Sequence, residues 1–96
     1  MVKNYIWRGN KMIINKKIFG ELESLYVTVL VRNKYDDPTN FTERCKMHAE
    51  ILDKLQVPFR IQNLVAYAGE KRKNWFNHND IVIKRVLEDL GCMLQL

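Results

Sequence analysis

Four side chains in this 96-residue sequence have metal-ligating chemistry: Cys45, His48, His78 and Cys92. Their number and type suit a structural zinc, and Cys45 and His48 would share one face if they lay on a helix. His78 and Cys92 sit far along the chain, however, and no compact CxxC or HxxxH knuckle is present. The plainer reading is a packed thiol, a helix-face imidazole and a loop imidazole, with no metal. A second set, Asp36, Asp37 and Glu43, could hold a divalent cation for phosphodiester chemistry. Adjacent residues on an extended chain point opposite ways, so the two aspartates are better explained as turn formers. Nucleophilic catalysis has little to work with. Ser24 is the sole serine, no Gly-x-Ser-x-Gly elbow is present, and the four glycines are scattered singly, which argues against a phosphate-cradling loop. No cofactor is expected.

The third set is the most informative. Tyr5, Trp7, Arg8, Lys11, Lys16 and Lys17 interleave cations with aromatic rings near the start, and Lys71, Arg72, Lys73 and Trp75 do so again later. Cations answer phosphates and aromatic faces stack on bases, which is what nucleic-acid binding needs. The competing explanation is that the tryptophans anchor a core and the lysines are solvated. The distribution of charge favours the first: residues 1–17 hold five cations and no acid, so the entire net charge of +5 resides there. The eleven basic and eleven acidic side chains of residues 18–96 cancel.

Local pattern supplies the elements that would position these groups. Tyr5–Arg8 and Lys11–Ile14 flank Gly9-Asn10, a two-residue hairpin signal. Asn15–Glu23 reads as a connection with one turn. Tyr26–Val31 is β-branched and aromatic and reads as a central strand. Asp36-Asp37-Pro38 stops it, and Asn40 with Glu43 has capping-box spacing, Thr39 being the rival cap. Phe41, Cys45, His48, Ile51, Leu52 and Leu55 then recur with helical period up to Val57-Pro58. Phe59–Gln62 alternates and runs into apolar Leu64–Tyr67, a second strand, and Asn74–Phe76 reads as a short third. Asn77 or Asn79 opens a second helix with Ile83, Val86, Leu87 and Leu90 inward and Gly91 as its stop. Cys92–Leu96 is a final strand.

This order predicts an α+β domain over residues 1–96: a basic hairpin arm, 1–17, on a core, 24–96, whose small antiparallel sheet carries two helices on one face in the ferredoxin-like βαββαβ order. With Asp36 at the end of its first strand, that order is similar to the small ferredoxin-like CRISPR adaptation proteins. The resemblance implies a metal-dependent nuclease, although the strand lacks that family's Tyr-Asp pairing at the expected point. The amino-terminal residues lack the apolar core of a signal peptide and no run approaches membrane-spanning length, so the reading is cytoplasmic without membrane attachment. Lysine-rich, Asn- and Ile-rich composition fits an AT-rich source such as a phage or virus. The functional expectation is a non-enzymatic binding module for DNA or RNA. The alternatives are an accessory or inhibitor protein that docks on a host protein or forms a homodimer, and the nuclease.

Overall fold

The computed structural model describes residues 7–36, 38–72 and 78–96. Strand β1 (Trp7–Arg8) and strand β2 (Lys11–Asn15) form the expected hairpin. Four helices follow, α1 (Lys16–Tyr35), α2 (Phe41–Lys54), α3 (Phe59–Lys71) and α4 (Asn79–Asp89), and strand β3 (Met93–Gln95) ends the order. β2 is the central strand, antiparallel to β1 and parallel to β3, with Ile13 opposite Met93 and Ile14 opposite Leu94.

The ferredoxin-like βαββαβ expectation is therefore wrong. The described chain is mostly helical, its sheet is mixed, and both interior strands read from the sequence are helices. The resemblance to the CRISPR adaptation proteins falls with them, because Asp36 caps a helix instead of ending a strand. The supposed third strand, 74–76, lies outside the described residues.

Tyr26–Val31 is helical because the apolar period begins earlier. Ile18, Phe19, Leu22, Leu25, Tyr26 and Leu30 are all buried and fall on one face at three- and four-residue spacing. Asn15 caps that face, its Oδ1 accepting from the Ile18 amide at 2.9 Å. Burial of six large side chains outweighs a β-branched preference of well under 1 kcal/mol per residue. The two hydroxyls that might have broken the helix bond back into it: Ser24 donates to the Gly20 carbonyl and Thr28 to the Ser24 carbonyl.

Helix α3 similarly replaces an expected strand. Pro58 closes one helix and opens the next, its carbonyl accepting from the Ile61 and Gln62 amides. Ile61, Gln62, Val65 and Gly69 then turn inward. The expected helices α2 and α4 are present. Asn40 stands at the start of α2 in left-handed geometry and makes no side-chain cap, so the capping box is not formed. α2 and α4 end in the same way. Val57 N–H bonds to the Leu52 carbonyl around Gln56, and Cys92 N–H to the Leu87 carbonyl around Gly91; both central residues have positive φ. Gly91 adopts that geometry freely, whereas Gln56 does so under strain.

One core gathers side chains from β2 and all four helices. Met12, Ile13 and Ile14 are buried in it, so residues 11–14 belong to the packed body. Helix α1 is its axis, with α2 and α3 packed along it and α4 against α1, α3 and β3. Gly69 sets the closest approach: a Cβ there would stand 2.8 Å from the Tyr26 carbonyl oxygen.

Candidate nucleic-acid interface

Five of the ten residues picked out as nucleic-acid contacts lie on the continuous stretch from β1 to the first turn of α1. The hairpin turn places Gly9 at φ 60°, as a Gly-first two-residue turn requires, and sets Arg8 directly across from Lys11. Trp7 lies opposite Met12; Met12 is buried, while Trp7 remains 43 % exposed. β2 runs without a break into α1, so Lys16 and Lys17 form the first turn of that helix. Arg8, Lys11, Lys16 and Lys17 are all exposed, and among the described residues none of them makes an ion pair.

The other five are placed differently. Tyr5, Lys73 and Trp75 lie outside the described residues. Lys71 sits at the end of α3, its ammonium 5.3 Å above the Tyr67 ring. Asn33 Nδ2 donates to the Glu70 carbonyl at 2.8 Å, which places that end of α3 beside the far half of α1, about 24 Å along the helix from Lys17. Arg72 is only 8 % exposed. Its Nη1 donates to the Tyr26 hydroxyl at 2.7 Å and to Asn79 Oδ1 at 3.1 Å, tying α1 to the start of α4. It is a structural tie.

The metal and carboxylate sets do not assemble. Among the described residues no three His, Cys, Asp or Glu side chains converge on a common point. Asp36 is an exposed left-handed cap and Asp37 lies outside the described residues. Cys45 and Cys92 are free thiols whose pKa values burial raises, against smaller opposing effects of Arg44 and Arg60.

Sequence reasoning missed the surroundings of His48. Its Nε2 lies 3.3 Å from Thr28 Oγ1, and its Nδ1 lies 3.6 Å from Glu21 Oε2. A hydroxyl, an imidazole and a carboxylate in line have the composition of an acyl-transfer relay. The chemistry fails on two counts. The Thr28 proton already goes to the Ser24 carbonyl, and mid-helix amides are consumed within the helix, leaving no donor pair for an oxyanion. A second feature was also missed, because it needs α3 to be a helix: Phe59 and Tyr67 share one of its faces and are 75 % and 52 % exposed.

Compared with protein-family models, curated proteins and solved structures, the chain matches none. Among the described residues no helix is long and apolar enough to cross a membrane.

Proposed function

We propose that the hairpin and the first turn of α1 form a phosphate-binding face for DNA or RNA. The observation that carries this reading is the breach of two electrostatic rules at the two ends of one strand, β2. Arg8 stands opposite Lys11, where like charges repel across a strand pair. Lys16 and Lys17 occupy the positive end of the α1 dipole, with no acid in that turn. Each arrangement opposes folding by a few tenths of a kcal/mol, and both errors have the same sign. Local rules broken at both ends of one strand with the same sign point to a functional site, and a polyanion long enough to span the strand is the ligand that would relieve them. The half-exposed Trp7 indole, next to Arg8 in the chain but on the other face of the hairpin, offers a stacking face for an unpaired base that wraps its edge.

Fluorescence anisotropy with short single- and double-stranded DNA and RNA tests this. With four cations engaged, log K should fall against log salt with a slope of about −3 to −4, and each Lys or Arg to Glu change should reduce that slope by about 1. Trp7→Ala should weaken single strands by about 1–3 kcal/mol while leaving duplex affinity nearly unchanged. Point substitutions are needed here, since deleting residues 1–17 would remove Met12, Ile13 and Ile14 from the core. Absence of binding at low salt, or binding indifferent to reversal of all four charges, would overturn the proposal.

A further inference from the structure

Helices α2 and α3 both lie on α1 but touch each other little. They are joined by the short connection 55–58 and strapped near it by Gln62, whose Nε2 donates to Asp53 Oδ1 at 2.8 Å and to the Val57 carbonyl at 3.0 Å. Away from that strap they diverge, leaving an open groove of about 470 Å³. Its floor is α1, through Leu25 and Val29; its α2 wall is Phe41, Cys45 and Ala49; its α3 wall includes Phe59, Ala66 and Tyr67.

Three properties of the groove define its occupant. The α2 wall is small beyond Phe41, because Cys45 and Ala49 follow at four-residue steps, so there is room for bulky side chains from outside. Phe59 and Tyr67 stand eight residues apart on α3, about 12 Å, which matches two turns of an inserted helix. Cations gather at the open end: the Arg32 guanidinium lies 5.0 Å over the Phe41 ring and the Lys71 ammonium 5.3 Å over the Tyr67 ring. Among the described lining residues Arg32 is the one cation and Glu70 the one carboxylate, so the positive excess at the mouth is the single charge of Lys71 on its rim. An apolar slot between aromatic posts, positively charged at its mouth, complements an amphipathic helix with acidic flanks. A second copy of this chain brings no acidic excess: residues 18–96 are balanced in charge and residues 1–17 are basic.

We infer that the α1–α2–α3 groove docks a short amphipathic helix of a partner protein, apolar on the inserted face and acidic on its flanks. This site is separate from the hairpin face and does not depend on it. The probe is a fluorescein-labelled helical peptide of about 16 residues with leucines at three- and four-residue spacing and glutamate flanks, beside the same peptide with lysine flanks. The intact chain should bind the acidic peptide with Kd on the order of 10 µM and the basic one at least about tenfold more weakly. Phe59→Ala with Tyr67→Ala should abolish binding without changing the circular dichroism, both side chains being exposed. Arg32→Glu should reverse the preference between the two peptides. The inference is overturned if the acidic peptide fails to bind, if both peptides bind equally, or if the Phe59/Tyr67 variant binds unchanged. It is also overturned if sedimentation shows the chain self-associating through this groove and the Phe59/Tyr67 variant monomeric, since the occupant is then a second copy.

Discussion

Arg72 shows how one side chain changes meaning with its surroundings. In the sequence it belongs to a run of cations beside a tryptophan and reads as a phosphate contact. In the structure its guanidinium lies 5.9 Å over the Tyr26 ring and donates to the hydroxyl of that ring. Both groups are buried, so each desolvated partner depends on the other. Arg72→Ala should destabilise the fold by about 2–4 kcal/mol, measured by urea unfolding, and Lys should not rescue it, because one ammonium cannot reproduce the planar fork. The same substitution at exposed Lys71 should leave stability within about 0.5 kcal/mol. Nothing in the local sequence separates these two neighbours. Their difference is set by Asn79, seven residues on from Arg72, and by Tyr26, forty-six residues before it.

At the scale of elements, the legible parts were those whose signal is local. The Gly9-Asn10 hairpin, the α2 and α4 stripes, the Gly91 stop and the last strand were all readable from a few adjacent residues. The lost elements, α1 and α3, share a cause. Val27, Val29 and Val31, like Phe59 to Gln62, favour or mimic strand in isolation, and only the longer period running from Ile18 or on to Gly69 reveals the helix. Gly69, two residues past the stretch that reads as a strand, lies inside α3 at its crossing with α1. Gly69→Ala raises helix propensity by about 1 kcal/mol yet forces a methyl onto the Tyr26 carbonyl. The clash should prevail, with a net loss of about 1–3 kcal/mol in thermal or urea unfolding. The hairpin face and the separate groove show the same split between them. The hairpin cations were legible from charge segregation, and the groove was invisible because half of its wall was assigned to a strand.

The whole molecule carries two thiols whose burial raises their pKa above the ordinary 9.0. The folded chain therefore holds those protons more firmly than the unfolded chain does. Below about pH 9 both states keep them and stability is indifferent to these groups; above it the unfolded state releases its protons first and stability falls. Urea midpoints at pH 8 and pH 10 should show a loss that Cys45→Ser with Cys92→Ser reduces. The same proton retention makes both thiols slow to alkylate at neutral pH.

The register of β2 against β3 has a consequence for how the chain reaches this fold. Ile13 and Met93 are neighbours in space and eighty positions apart in sequence. The helices can form and collapse while the polypeptide is still emerging from a ribosome. The central strand keeps one edge unpaired, and its ladder incomplete, until residues 93–95 arrive. Closing so long a loop is slow, and an open strand edge in the interval invites pairing with another nascent copy. Until residues 93–95 are made, the chain is therefore open to misassociation even though helices α1 to α4 all precede them.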